Sequence, residues 1–207
     1  MTKKSEKKQN IENYSKFAVF YSKKFSDLGA KVREKDIDKA FSYVTKPNPK
    51  TVEIGCGNGR DAKEIMEHTN DYLGTDLSEG MLELAKQNAP GVNFQLADLE
   101  EYSFPSGVDV VFSFASLIHS DKSSLKKVLE RVYKALDLGG VFLISLKYGD
   151  YHKETLDRDG VGMPRTYYFY TPEEIKELLP NGFEIVYEDI QDFNNQKWFT
   201  IILRKIF

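Results

Sequence analysis

Short apolar runs alternate with helical stripes along most of the chain. Residues 52–54 form a first run, followed by Ala62, Ile65 and Met66 at helical spacing. Residues 72–75 form a second, followed by the stripe Met81, Leu84 and Ala85, with Ser78 placed to cap it. Gly91 opens a third run at 92–96. The fourth, 108–114, is almost wholly apolar, as expected of a strand buried on both faces. Leu125, Val128, Leu129, Val132 and Leu136 then make one helical stripe that Gly139-Gly140 are predicted to stop, before a fifth run at 141–146. Repeated strand–helix units of this kind call for a parallel sheet with right-handed crossovers, hence an α/β fold.

The two ends read differently. Tyr14, Phe17, Ala18, Phe20, Tyr21 and Phe25 predict a helix over 10–25, and a second spans 37–44, ending before Pro47 and Pro49. Residues 10–46 are therefore expected to be a helical cap on a core domain of 47–207, with 1–9 a disordered, Lys-rich tail. Near the other end, Thr171-Pro172-Glu173-Glu174 is a capping box with Pro at the first helical position, and that helix ends at Pro180-Asn181-Gly182. Residues 183–190 and 198–206 form two final strands, close enough for an antiparallel hairpin. Between 147 and 170 the periodic pattern breaks. This long, aromatic, glycine-bearing segment is too rich in rings for disorder, so 148–170 is read as a mobile wall beside a pocket.

The chemistry concentrates where the first strand ends. Glycines there permit positive φ and close approach of a ligand to the backbone, and the following helix directs free N–H groups at the turn. A dinucleotide fingerprint needs its third glycine where Arg60 stands; the chain instead spaces Gly55, Gly57 and Gly59 alternately, with Glu53 on the strand before them. A carboxylate beside phosphates would be unfavourable. Beside a ligand carrying an ammonium and a carboxylate it makes sense. The plain alternative is a tight turn without a ligand. Asp76 and Asp98 close the second and third strands, on the edge where open α/β sheets bind ligands, and Asp76 stands where a ribose-binding carboxylate belongs. His119, just past the fourth strand, is the candidate general base; its alternative is a helix-terminal histidine bonded to backbone.

Composition narrows the rest. The 207 residues suffice for one α/β domain with an appendage, and 41% hydrophobic content is ordinary. The single cysteine, Cys56, cannot form an internal disulfide and has no thiol-activating neighbour, so it reads as a small filler in a reducing compartment. No apolar run is long enough to span a bilayer, and no apolar segment follows the Lys-rich start as in a signal peptide, so a cytoplasmic, membrane-free protein is expected. A net charge of −3 argues against a broad nucleic-acid footprint.

Taken together, the stretches GCGNGRDA, GTDLSEGMLELA, FASLIH, LGGVFLISLKYG and FYTPEEIKELL resemble the class I S-adenosylmethionine-dependent methyltransferases, in a bacterial-type small-molecule group, over about residues 10–206. Glu53 stands where Asp is commoner in that family, and Leu138 precedes Gly139-Gly140 where Pro is commoner. The resemblance implies a Rossmann-like, seven-stranded, mostly parallel sheet with the last strand antiparallel, helices on both faces and an N-terminal helical cap. It implies S-adenosylmethionine as cofactor, S-adenosylhomocysteine as product and no metal. The cofactor would meet Glu53, Gly55, Cys56, Gly57, Asn58, Gly59 and Arg60 at the turn, and Asp76, Leu77 and Met81 at the ribose. Ala97, Asp98 and Leu99 would lie at the adenine, with Phe114, Ala115, Ser116 and the cap residue Tyr21 completing the site. Tyr14, Tyr148, Arg165, Tyr167 and Tyr168 would face the acceptor. The acceptor is expected to be a small molecule, taken by in-line displacement at the sulfonium methyl, where positioning alone can do most of the work. A tRNA or RNA methyltransferase and a non-catalytic cofactor-binding partner subunit are the alternatives, in a monomer or homodimer.

Overall fold

The computed structural model describes residues 3–25, 30–193 and 195–207. Three helices come first: α1 (Lys3–Lys16), α2 (Ala18–Phe25) and α3 (Ala30–Phe41). Strands and helices then alternate as β1 (Thr51–Ile54), α4 (Ala62–Ile65), β2 (Tyr72–Asp76), α5 (Glu79–Asn88), β3 (Phe94–Leu96), β4 (Val108–Phe114), α6 (Lys122–Ala135) and β5 (Leu136–Lys147). A hairpin of β6 (His152–Leu156) and β7 (Arg165–Phe169), a helix α7 (Pro172–Leu178), and the strands β8 (Phe183–Phe193) and β9 (Gln196–Lys205) complete the chain.

Seven strands form one sheet in the order β3-β2-β1-β4-β5-β9-β8. Pairing is parallel from β3 through β5, while β9 runs antiparallel between β5 and β8. The expected mostly parallel sheet with an inserted antiparallel last strand is therefore what the chain builds. Alternate residues feed the two faces, as strand geometry requires. Phe142, Ile144 and Leu146 of β5 pack with Leu125, Val128 and Leu129 of α6, whereas Val141 and Leu143 join Ile37 of α3, Ile65 of α4 and Leu82 of α5. Glu53 lies between Val52 and Ile54, so it points to the face opposite theirs.

Several boundaries depart from the sequence reading. The helix before β5 stops at Ala135, not at Gly139-Gly140, because Leu136 turns extended to pair with Val108 of β4; the two glycines lie inside β5. The cap helix expected over 10–25 is two helices that meet at Phe17. The tail expected to be disordered is helical from Lys3 onward, with Met1 and Thr2 outside the described residues. Two of its four lysines are held by carboxylates of the core: Lys3 by Asp121 at 2.8 Å, and Lys7 by Asp98 and Glu100 at 2.6 and 3.1 Å. Residues 26–29 of the expected cap also lie outside the described residues. The segment expected to be irregular is the β6–β7 hairpin, in register from His152↔Phe169 to Leu156↔Arg165. All five residues of β7 are buried, and its rings join the core, which supplies the apolar cover that makes this strand regular. Among the described residues, no helix is long and apolar enough to cross a membrane.

Candidate functional site

Strand order reverses between β1 and β4, and open α/β sheets bind ligands in the crevice outside the strand ends at such a point. The glycine turn sits there. At Gly55, with φ of +69°, a Cβ would fall 1.9 Å from Ser116 Oγ, so the ends of β1 and β4 close together only without one. A Cβ on Gly57 would meet nothing within 4 Å, leaving the backbone open to the crevice. Thr75 O accepts from both Gly55 N and Cys56 N, at 2.7 and 2.9 Å, which fastens the turn to β2. Asp76 then holds it from below, accepting from Gly57 N and Ser78 N at 2.8 Å each. Burial raises its pKa, against the pull of those N–H groups.

Glu53 is 2% exposed and accepts from Tyr72 Oη at 2.5 Å. Burial, then the neighbouring Asp61 charge, pushes its pKa up to about 8, while Tyr72, Arg60 and Arg33 oppose the shift. Asp61 accepts from Arg33 Nε at 2.6 Å and from Arg60 Nε at 3.3 Å. Burial also pushes the Cys56 thiol well above its ordinary range, which keeps it protonated and inert as a nucleophile.

A second wall comes from α1 and β7, joined by a polar seam. Asn10 Nδ2 donates to Thr166 O at 3.2 Å, and Thr166 N donates to Asn10 Oδ1 at 2.9 Å, so one side-chain amide serves β7 as a strand partner would. Asn13, fully buried, donates to Met163 O and accepts from Tyr21 Oη at 2.6 Å. His119 ends the short helical turn after β4 (Leu117–His119) and meets this wall. Its Nδ1 lies 2.6 Å from Thr166 O, which can only accept, so Nδ1 carries the proton and Nε2 accepts from Tyr14 Oη at 3.0 Å. Arg165 Nη1 donates to the same Tyr14 oxygen at 2.6 Å, and its other terminal nitrogen pairs with Asp159. His119 is bonded to backbone, as its plainer reading expects, and its second nitrogen faces a phenol in the crevice.

Burial drives the His119 pKa down to about 4, against the Thr166 hydrogen bond, with Arg165 and Lys147 adding to the fall. A histidine held neutral in the fold takes up its proton first when unfolded, so stability is intact above pH ~6.5 and drains away toward pH ~4. The His119→Gln variant should escape that loss, narrowing its stability gap from the native chain by about 2–3 kcal/mol over this interval. Denaturant melts at the two pH values read the difference; parallel profiles would contradict a buried neutral His119.

These walls enclose one cavity of about 610 Å³, within the range of about 300–1,000 Å³ common for ligand clefts. Every candidate residue named from the sequence borders it except three. Gly59 is turned toward Ala85 and Phe94, where it lets α5 pack closely. Ala97 is buried with its N–H on Asp76 O, and Tyr148 is drawn toward Phe199 by the bond from its N–H to Lys197 O. The sequence reading missed Lys7, Arg33, Asp36 and Lys147, all of which border the cavity. Asp36 Oδ1 is buried without a hydrogen-bond partner, and burial raises that carboxyl to about 6. Lys147 carried a readable signal, a cation closing an otherwise apolar strand; the helix residues carried none, because charged positions on helices are ordinarily solvated.

Residues 52–140 match the family described as a methyltransferase domain. Over 95% of its length the chain is 27% identical to malonyl-(acyl-carrier protein) O-methyltransferase 1 of Ilyobacter polytropus, spanning 74% of that protein. It is 31% identical to trans-aconitate 2-methyltransferase of an Acidovorax species over 51% of its own length, spanning only 42% of that relative. Among solved structures, Burkholderia thailandensis 1,6-didemethyltoxoflavin-N1-methyltransferase, bound to its substrate and S-adenosylhomocysteine, superposes with a TM-score of 0.79 at 18% identity, covering 100% of this chain and 92% of that one. The family match runs from the glycine turn into β5, and the shared fold accounts for the strands beyond it. The chain thus carries a methyltransferase domain over residues 52–140, and along most of its length it is similar to S-adenosylmethionine-dependent methyltransferases.

Proposed function

We propose that this methyltransferase acts on a small-molecule acceptor held between the glycine turn and the α1–β7 wall. The observation that carries this reading is the enclosure of Tyr14, Tyr21 and Tyr167 around Arg165 in the same cavity as the turn, with the guanidinium 4.8, 4.4 and 5.3 Å from the three ring centres. An aromatic box of this kind suits a small, partly flat guest. The trans-aconitate 2-methyltransferase relative, named for a small molecule, supports it. On this reading residues 10–46 and 148–170 cover the acceptor side of a methyltransferase domain at 47–207.

The chain's residues suit the donor. S-adenosylmethionine supplies an electrophilic methyl carbon on a sulfonium. Gly57 leaves clear the space a side chain would fill. Asp76 accepts from Gly57 N on Oδ2 and from Ser78 N on Oδ1, and its carboxylate has further acceptor capacity for ribose hydroxyls. Lys7 contacts both oxygens of Asp98, at 2.6 and 2.7 Å, and Glu100 N takes a further position on Oδ1, which leaves one on Oδ2 for an adenine amino group. Arg33 and Asp61 supply charges suited to a carboxylate and an ammonium, and the buried Glu53 carboxyl offers oxygen acceptors to that ammonium. Where the acceptor must lose a proton, it passes to the Tyr14 hydroxyl as that hydroxyl's own proton moves to His119 Nε2, the unprotonated ring nitrogen that already accepts from it.

The tRNA reading rested on the N-terminal lysines. Of that run of four, Lys3 and Lys7 are engaged with Asp121, Asp98 and Glu100, and so are not presented to phosphates, and Lys8 pairs with Glu12 on its own helix. Incubation with isotopically labelled donor and fractionated cell extract, read by mass spectrometry, is expected to place the label in the small-molecule fraction. Label confined to RNA or protein would overturn the proposal.

A further inference from the structure

Lys147 closes β5 and is 6% exposed, yet it borders the cavity. Three rings surround its ammonium, with centres at 5.0 Å (Trp198), 5.4 Å (Tyr167) and 5.5 Å (Phe169). Among the described residues it makes no ion pair or hydrogen bond through Nζ. The other cations of this wall are matched. Arg165 and Lys24 share Asp159, Arg158 pairs with Glu154, and Lys153 pairs with Glu6. One buried positive charge is left over. Ring faces offset part of its desolvation, but a buried ammonium ordinarily finds an anion. Burial, with the Arg158 and Arg165 charges, holds its pKa down to about 8, while Glu154 pulls the other way.

We propose that Lys147 is the counter-ion of an anionic acceptor, and that the substrate carries a carboxylate or a phosphate-type oxyanion seated against this ammonium. The proposal rests on the reading of the cavity as an acceptor site and adds the chemical class of the guest. Arg165, another cation of this wall that borders the cavity beside these rings, is spent on Asp159 and Tyr14. The rings around Lys147 repel water and give a bound oxyanion few competitors.

Calorimetry on the full chain, with and without saturating S-adenosylhomocysteine, tests this using malonate, inorganic phosphate and the neutral malonamide as probes. Malonate or phosphate is expected to bind and malonamide to fail; whichever anion binds more tightly separates the planar from the tetrahedral class. Lys147→Met should weaken anion binding by about tenfold or more, the loss of one charge-assisted contact, and Lys147→Arg should largely retain it. S-adenosylhomocysteine affinity should be equal in all three proteins. Should Lys147→Met fail to fold, the side-chain methylene resonance of Lys147 in the native protein, assigned by its disappearance in Lys147→Arg, should move as anion is added. Absence of anion binding in both ligand states, or equal binding in Lys147→Met, overturns the proposal. A loss of S-adenosylhomocysteine affinity in Lys147→Met also overturns it, because Lys147 would then serve the donor's carboxylate. Failure of the native chain to bind S-adenosylhomocysteine would instead count against the donor site, with the anion result read on the ligand-free protein.

Discussion

Replacing Asp76 by alanine is expected to lower S-adenosylhomocysteine affinity by about tenfold to more than a hundredfold, with the sheet intact. Hydrogen bonds from ribose hydroxyls to an ionised carboxylate contribute roughly 1.5–3 kcal/mol. The substitution also strips Gly57 N and Ser78 N of their acceptor, so the glycine turn loses its support on the β2 side. Leaving such donors unpaired costs roughly another 1–3 kcal/mol where water cannot replace the carboxylate. Asp76→Asn should fall nearly as far, since one end of its amide is a donor facing a backbone N–H. Calorimetric titration decides the matter: a dissociation constant unchanged in Asp76→Ala would remove this carboxylate from the site.

Gly55→Ala and Gly57→Ala should separate folding from binding. At Gly55 the new methyl meets Ser116 Oγ and Cβ, at 1.9 and 2.3 Å, on a backbone with φ of +69°. Left-handed backbone costs a residue with a Cβ roughly 1–2 kcal/mol, and overpacking roughly 1–3 kcal/mol more. A combined loss of about 2–5 kcal/mol lowers Tm by roughly 4–20 °C in a chain of this size. At Gly57 φ is +55° and the methyl enters open space, so only the backbone cost falls on stability. That methyl occupies ligand space, so Gly57→Ala should lose donor affinity for a smaller fall in Tm. Equal melting temperatures for the two variants would show that β1 and β4 do not close together as described.

Residues that act through their neighbours in sequence were legible before the fold was known. Short apolar runs gave β1 to β5, because strands in the middle of a sheet covered on both faces are apolar at nearly every position. The spacing of Gly55, Gly57 and Gly59 against Arg60 chose the ligand class, and Thr171 to Glu174 announced α7 through a capping box that the structure contains in full. Asp76 and Asp98 were found by their place at strand ends.

The α1–β7 wall was not legible, and the reason is chemical. Helix α1 docks through Glu6, Asn10 and Asn13, all buried, on a helix whose mean hydropathy is strongly polar. Periodicity detects buried faces only when they are apolar, so residues 1–9 read as a tail. Their order depends on carboxylates at Asp98, Glu100 and Asp121, about a hundred residues away in sequence, and no local pattern reports such partners. The same holds for charge balance in the cavity. Arg165 and Lys147 are equivalent letters in the chain, each a cation beside aromatic residues. Only the packed structure gives Arg165 an aspartate and a phenol and leaves Lys147 with three rings. Sequence by itself determined the parallel strands and the glycine turn, because each follows from local backbone and side-chain preference, and its resemblance to a known family supplied the antiparallel last strand and the donor. Tertiary structure decided which buried charges are neutralised and which are left among rings, because that depends on distances between groups the chain brings together only on folding.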